Sequence, residues 1–155
     1  MIKKALKYFK IISIDVYIYF MTIDDCMDYP ALDYTIESEM ISNNKQKFFI
    51  KNGDRTIHKS YLFQRLFLLR LINKKGPAIG DCSTISEYKG KSIYPFVINY
   101  IAKEELSKNG KKEVFIIVNT DNKSSIRGIE KAGFKLYSRI KAKRFLLFYY
   151  NVSSN

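Results

Sequence analysis

One short segment combines the residue types that bind phosphate groups in proteins. Residues 87–96 read EYKGKSIYPF, with one glycine, one serine, two lysines and a proline between two apolar segments. Where a turn leads from a strand into a helix, the first N–H groups of the helix lack partners and lie at the positive end of its dipole, so they attract phosphate. Any strand-to-helix turn has a similar composition, so the segment alone leaves a phosphate site and a simple turn both open.

Few other side chains could act as acid, base or nucleophile. His58 is the only histidine, and a histidine has an intrinsic pKa suited to a general base. Asp81 is the second candidate base, although a lone strand aspartate is more often a surface residue. Cys82 could be a nucleophile, but a cysteine without a partner histidine is usually a small core residue. With two cysteines and one histidine, the chain is not expected to bind a metal.

The composition predicts a single globular domain. The chain has 155 residues, of which 46% are hydrophobic and 27% charged, enough for a core without disulfides. The net charge of +12 indicates an anionic partner, such as nucleic acid, an acidic membrane surface or a phosphorylated ligand. A solubility role of the surplus lysines explains the charge equally well.

The first 21 residues resemble a signal peptide only in part. Lysines precede an apolar run, but Asp15 interrupts that run and no small-residue cleavage site follows. The run is also too short and too polar to span a bilayer. We therefore expect a cytoplasmic protein with no membrane partner.

Hydrophobic periodicity predicts a mixed α/β domain. The strand–helix–strand unit around residues 79–118 implies a parallel strand pair with a right-handed crossover. Basic residues on one face of residues 134–144 favour an edge strand, because edge lysines block aggregation. In chain order we predict a strand at 9–21, a loop or short helix at 24–39, a hairpin at Asn52-Gly53, a helix at 63–73, a strand at 78–86, a helix at 93–110, a strand at 113–118, a helix at 121–133, and strands at 134–140 and 143–151.

Two motifs at this spacing resemble the GNAT family of N-acetyltransferases. The segment YKGKSIYPFVINYIAKEELSKNG, followed by EVFIIVNTDNKSSIRGIEKAGF, is similar to the acyl-CoA-binding half of that family over about residues 76–137. The family loop reads Arg/Gln-x-x-Gly-x-Gly/Ala, and Lys89, Ser92 and Tyr94 occupy its three defining positions. The family helix has an asparagine, a small residue three later and a Glu-Lys-x-Gly-Phe end, matched here by Asn122, Ser125 and residues 130–134.

The resemblance implies a fold and a cofactor site. The fold would be α/β, with a mixed, mostly antiparallel sheet of about six to seven strands and helices on both faces. One domain, 1–155, would divide into an acceptor-side half at 1–75, an acyl-CoA-binding half at 76–137 and a C-terminal strand at 138–155. The strand at 78–86 would splay from its neighbour, and the Thr84 amide would polarise the thioester carbonyl. The implied residues for binding coenzyme A are Cys82, Ser83, Thr84, Lys89, Gly90, Lys91, Ser92, Ile93, Tyr94, Asn122 and Ser125.

The implied reaction is direct acetyl transfer from acetyl-CoA to a small amine or amino sugar. The usual family acid is a tyrosine at a position that is Ile129 here. Tyr94, Tyr137 or a water molecule could replace it, the thiolate could leave unaided, or the protein could bind coenzyme A without catalysis. The candidate catalytic residues are therefore Asp81, His58 and Tyr94.

Several alternatives stay open at this stage. The chain could be a non-catalytic coenzyme-A-binding protein, or a basic module that binds nucleic acid, although no nucleic-acid motif is present and the basic residues are dispersed. The acidic residues between 24 and 39 could wall an amine pocket or form a solvated loop. A homodimer is neither required nor excluded by the sequence.

Overall fold

The structure, a computed structural model, describes residues 10–146 and 148–155. They form one eight-stranded sheet, and β5 and β6 are its only parallel neighbours among these residues. The strands are β1 (Ile12–Met21), β2 (Glu37–Ser42), β3 (Lys45–Asn52), β4 (Arg55–Phe63), β5 (Ala78–Thr84), β6 (Val114–Asn119), β7 (Lys135–Phe145) and β8 (Phe148–Ser154). Their order across the sheet is β2-β3-β4-β5-β6-β1-β7-β8.

Two α-helices follow the two strands that lie side by side in parallel. Helix α1 (Ile93–Lys103) follows β5 and continues into a π-helical turn at Glu104–Lys108, and α2 (Lys123–Lys131) follows β6. Three short 3-10 helices complete the elements of the described residues, at Ile23–Asp25, Phe67–Ile72 and Ser86–Tyr88. The predicted strand–helix–strand unit is therefore confirmed, with its parallel pair.

The two faces of the sheet are covered differently. Val97, Ile98 and Ile101 of α1 pack in one core cluster with Ile129 of α2, against the face that carries Met21. The opposite face is covered by the 3-10 helix Phe67–Ile72, whose Leu69 is fully buried against β1, β6 and β7. The expectation of helices on both faces is thus confirmed in part: among the described residues both α-helices lie on one face, and the other is covered by a 3-10 helix.

The predicted strand number of six to seven is also wrong. The unforeseen strand is β2, which extends from the end of the acidic segment and pairs only with β3 at the edge of the sheet. All of its residues are exposed, so its sequence shows none of the alternation that marks a half-buried strand. Residues 24–36 do form a short helix and loop as predicted.

Two further predictions need correction. The helix expected at 63–73 is only the six-residue 3-10 helix Phe67–Ile72, which is followed by Asn73 in the left-handed conformation. The break expected near residue 141 does not exist, because β7 runs unbroken to Phe145. Nor is β7 an edge strand, since it lies between β1 and β8, and its Arg139 forms a two-pronged ion pair with Asp15 of β1, at 2.7 and 2.6 Å.

The remaining strand predictions are confirmed. The strand expected at 9–21 is β1, with residue 9 outside the described residues. The hairpin at Asn52-Gly53 joins β3 to β4, and its turn uses Gly53 at φ 60°, a conformation that glycine adopts without strain. β1 lies between β6 and β7, so it joins the part of the sheet built from residues after 113.

Candidate binding cavity between diverging strands

The parallel strands β5 and β6 separate soon after they meet. They pair only at Ala78 with Phe115 and at Ile79 with Ile116. Beyond that point β6 continues beside β1, while β5 stays paired with β4 as far as Thr84. From residue 80 onward, the edge of β5 that faces β6 therefore has no strand partner among the described residues.

The hydrogen-bond pattern fixes the direction of the Thr84 backbone. Ile85 donates its N–H to the Ile57 carbonyl at 3.0 Å, and Thr84 lies opposite His58. In an antiparallel pair these bonds alternate, so the N–H and C=O of Thr84 point away from β4. They face the gap between β5 and β6. This is the direction that the Thr84 N–H needs if it is to contact a thioester carbonyl bound in that gap.

A cavity of about 550 Å³ occupies this gap. Its wall combines the end of β5, the turn into α1 and one side of α2, and none of the aspartates and glutamates among the described residues lines it. The lining residues are Cys82, Ser83, Thr84, Tyr88, Lys89, Gly90, Ser92, Ile93, Tyr94, Pro95, Asn122, Ser124, Ser125, Arg127, Gly128 and Lys131.

The turn into α1 presents unpaired amides to the cavity. The first helical bond is from the Phe96 N–H to the Ser92 carbonyl at 3.2 Å, and the N–H groups of residues 90–94 have no hydrogen-bond acceptor within the described parts of the chain. Gly90 at φ 76° and Ser92 at φ 60° turn the backbone so that it enters the helix. These amides lie at the positive helix end, where they favour an anion.

Cationic side chains surround the same turn. Lys89, Arg127 and Lys131 line the cavity. The Lys131 ammonium donates to the Ser92 hydroxyl at 2.7 Å, which ties α2 to the turn. Lys91 does not line the cavity, and its ammonium lies 4.5 Å from the centre of the Tyr88 ring. The wall is thus positive without a compensating acid, as a phosphate site requires.

Tyr94 fills the space above α2, and Gly128 makes that possible. A Cβ at Gly128 would lie 2.6 Å and 2.8 Å from Cδ1 and Cε1 of the Tyr94 ring, closer than such contacts occur. Burial raises the pKa of Tyr94, so its hydroxyl stays protonated at neutral pH. The bulky residue in the loop is therefore matched by a missing side chain on the facing helix.

The second motif holds α2 on the sheet. Asn122 caps α2 by accepting the Ser125 N–H at 3.2 Å. Glu130 accepts from the Tyr19 hydroxyl of β1 at 2.8 Å. Asn99 of α1, almost fully buried, donates to the carbonyls of Met27 and Ala132 at 3.2 and 3.0 Å. These contacts give Asn122 and the Glu-Lys-Ala-Gly-Phe sequence clear structural roles.

The candidate bases lie outside the cavity wall. His58 is 1% exposed, with Nδ1 2.7 Å from the Thr84 hydroxyl and Nε2 2.8 Å from the Ser60 hydroxyl. Burial lowers its pKa to about 4, so it is neutral at pH 7 and a weak base. The Asp81 side chain is exposed and pairs with Lys45 at 3.4 Å. His58 therefore lacks the near-neutral pKa of an effective base, and Asp81 is held in an ion pair outside the cavity wall.

The candidate acids are also separated by position. Ile129, at the position of the usual acid, is completely buried in the core. Tyr137 packs against Phe20, with its ring centre 5.7 Å away, on the sheet face opposite the α-helices. Tyr94 is the candidate that reaches the cavity. Burial raises the pKa of the neighbouring Cys82 to about 12, which makes its thiol a poor nucleophile.

The acidic segment does not contribute to this wall. Asp25 pairs with Lys135, and Asp28 pairs with Lys103 on α1. Both lysines lower the pKa of their partner carboxyl group by hydrogen bonding. The carboxylates thus join the segment to β7 and α1, which supports a structural role over an amine pocket.

The cavity brings together every residue implied for coenzyme A except Lys91. Six lining residues were not predicted from the sequence. Of these, only Gly128 has a recognisable sequence signal, because a glycine inside a helix costs stability and often marks close packing against another element. The missed lining residues are Tyr88, Pro95, Ser124, Arg127, Gly128 and Lys131.

A second cavity of about 590 Å³ is lined by residues 64–67, 70 and 74–76, and it does not lie between separating strands.

Comparison with known proteins gives no family assignment: no protein-family model matches the chain, and no curated protein matches it. Within the described residues, no helix is long and apolar enough to cross a membrane. The same residues contain no group of three or more His, Cys, Asp or Glu side chains that could hold a metal ion. Proposals about function therefore rest on the cavity itself.

Proposed function

We propose that the protein is an acyl-CoA-dependent N-acyltransferase of GNAT type, which transfers an acetyl group from acetyl-CoA to a small amine or amino sugar in the cytoplasm. The observation that carries this proposal is the separation of β5 from β6 beside a positive helix end. It leaves a free strand edge and a phosphate-binding turn on one cavity, and acyl-CoA has both an amide-containing arm and a diphosphate.

The cavity has suitable chemical groups for both the amide arm and the diphosphate of acyl-CoA. The unpaired backbone from residue 80 to Thr84 can pair with the amides of an extended arm, as an added strand does in peptide recognition. The amides of residues 90–94, with Lys89 and Lys131, can receive the diphosphate. The absence of acids in the wall avoids repulsion of the phosphates.

The proposed reaction uses Thr84 and Tyr94 of the cavity wall. The amine nitrogen attacks the thioester carbon, and the Thr84 N–H donates to the oxygen on which negative charge develops. The C–S bond breaks, and the sulfur leaves as a thiolate. The Tyr94 hydroxyl donates a hydrogen bond to that sulfur, but its raised pKa keeps its own proton in place. The proton released by the attacking amine then reaches the thiolate through water. No side chain of the protein has to give up a proton.

A second candidate is a protein that binds coenzyme A without catalysis. Two observations favour it over a working enzyme. Ile129 is buried where the family acid would lie, and within the part of the chain that the structure describes no aspartate, glutamate or histidine lines the cavity to serve as base. Binding would then survive, since the strand edge and the helix end do not depend on those residues.

Calorimetric titration with acetyl-CoA tests binding. We expect saturable binding that weakens about three- to tenfold in Lys131→Ala, because one charge-assisted contact to phosphate is lost. Lys143→Ala is the matched control, since it removes one exposed charge from β7, outside the cavity. Equal weakening in both variants would indicate attraction by net charge alone.

Release of free thiol from acetyl-CoA, measured across a panel of amines and amino sugars, tests catalysis. Release that depends on the amine supports the enzyme. Tight binding with no release for any amine supports the non-catalytic alternative. Salt-sensitive binding of DNA with no response to acetyl-CoA would overturn both and favour a nucleic-acid-binding module.

A further inference from the structure

Half of the residues that line the second cavity are basic. They are Arg65, Arg70, Lys74 and Lys75, and none of the acids among the described residues lines this cavity. All four belong to the connection between β4 and β5, residues 64–77, whose sequence contains no Asp or Glu. Residues 1–9 and 147, which lie outside the description, contain no acid either. A concave wall of one positive sign attracts anions.

Within the described residues, only one of these four cations has an acid partner. The Lys74 ammonium donates to both carboxylate oxygens of Glu113, at 2.7 and 3.0 Å. Arg65, Arg70 and Lys75 form no ion pair with any described acid. Three positive charges on the cavity wall thus remain for a ligand.

The Arg70 side chain contacts an aromatic ring instead of an acid. Its guanidinium carbon lies 5.5 Å from the centre of the Phe67 ring, and that ring stacks on Tyr149 of β8 with 5.5 Å between ring centres. Elsewhere in the sheet Arg55 and Arg139 each form an ion pair with an acid. A cation–π contact does not consume the N–H groups of the guanidinium, so they are free to bind two oxygens of one phosphate.

The connection that forms the cavity is fixed at three points. Asn44 holds its start by two hydrogen bonds between its side chain and the Arg65 backbone, at 2.8 and 3.3 Å. Leu69, in its middle, is 1% exposed in the core. At its end Gly76 packs so closely on β6 that an added Cβ would lie 3.1 Å from the Phe115 ring. A wall that is already ordered loses little conformational entropy when a ligand binds.

We propose that the second cavity binds a small molecule that carries a di- or triphosphate group. One phosphate group has a charge of about −1.5 to −2 near neutral pH, so one alone would leave part of the three unpaired cations uncompensated. The cavity volume of about 590 Å³ lies within the range of small-molecule sites. Leu66 and Phe67 add apolar surface for an organic group such as a nucleoside. The site shares no lining residue with the first cavity and does not depend on the proposed function.

NMR titration of the ¹⁵N-labelled protein with tripolyphosphate locates the site. At a physiological ionic strength of about 0.15 M, weak attraction between exposed charges is screened. We expect saturable shifts of the backbone amide signals of residues 64–76. Shifts confined to residues 88–94 would overturn the proposal, because the anion would then occupy the first cavity. The absence of saturable shifts at any residue would overturn it as well.

The same titration of two double variants measures what the arginines contribute. Arg65→Gln with Arg70→Gln should weaken tripolyphosphate binding about 10- to 100-fold, because two charge-assisted contacts are lost. The matched control is Lys141→Gln with Lys143→Gln, which also removes two exposed charges. These lysines alternate along β7 with residues that pack beside Leu69, so they lie on the opposite sheet face. Equal weakening in both double variants would indicate attraction by net charge alone and overturn the site.

Two further ligands identify the source of the phosphates. If ATP binds more tightly than tripolyphosphate, and the difference disappears in Phe67→Ala, the ligand is a nucleotide. Equal affinities indicate that the phosphate chain alone is recognised, and both results support the site. A single-stranded oligonucleotide that shifts residues 64–76 when neither small ligand does would overturn the proposal in favour of a nucleic-acid surface. Failure of acetyl-CoA to bind would refute the proposed function and leave this site standing.

Discussion

The contact between Tyr94 and Gly128 yields the most direct test of the cavity geometry. In an ordinary helix, replacing glycine by alanine stabilises by about 1 kcal/mol, because alanine loses less backbone entropy. At Gly128 the added Cβ would lie 2.6 Å from the Tyr94 ring, so the ring or the helix must shift. Such overpacking costs about 1–3 kcal/mol, so we expect Gly128→Ala to be neutral or to destabilise by up to about 2 kcal/mol.

The sign of the effect should reverse when the ring is removed. In a Tyr94→Ala background the clash is absent, and Gly128→Ala should stabilise by about 1 kcal/mol. The coupling energy of this double-mutant cycle is then about 1–3 kcal/mol. Urea unfolding of the wild type, both single variants and the double variant measures all four corners. If Gly128→Ala stabilises the wild type as much as it stabilises Tyr94→Ala, the two residues are not in contact. Tyr94 would then not pack against α2 in the cavity wall.

Two further predictions concern buried polar groups. Because burial lowers the pKa of His58 from 6.5 to about 4, the unfolded chain binds a proton first as the pH falls through this window. The free energy of unfolding should therefore decrease by about 3 kcal/mol between pH 7 and pH 4, and it should decrease less in His58→Gln. Urea unfolding at several pH values measures both proteins, and the same pH dependence in both would contradict this prediction. Asn99→Leu should destabilise by about 1–3 kcal/mol, because the Met27 and Ala132 carbonyls lose their donor; a Leu variant as stable as wild type in thermal unfolding would show that water replaces the amide.

The parts of the fold that the sequence could predict have strong local signals. β6 is a continuous apolar run, α1 begins with Pro95 in its first turn and ends before Gly110, and the β3–β4 turn contains Gly53. β2 has no such signal, since its residues are all exposed and its side-chain contacts, such as that of Glu39 with Lys47, are made with the neighbouring strand β3. The segment before Asn73 has helical spacing but forms only a 3-10 helix, which lies in the connection between the antiparallel neighbours β4 and β5 and buries Leu69 in the core.

The candidate site divides in the same way. Residues that are consecutive in the turn at 87–96 could be placed together from the sequence, because one loop positions them all. The contact of Tyr94 with Gly128 joins two helices, and that of His58 with Thr84 joins two strands. Such contacts depend on the register between strands and on the packing between helices. Local patterns in a single sequence reveal neither. This is why His58, a candidate base by residue type, is found buried against Thr84 and outside the cavity wall.

The place of β1 in the sheet also affects how the chain folds. β1 is the first described strand to leave the ribosome, yet it pairs with β6 and β7, roughly a hundred residues later in the chain. Both of its edges, with Ile18 and Tyr19 between them, stay unpaired until residues 114–145 have been synthesised. We expect slow completion of the sheet and a period in which this strand is open to non-native pairing or to a chaperone.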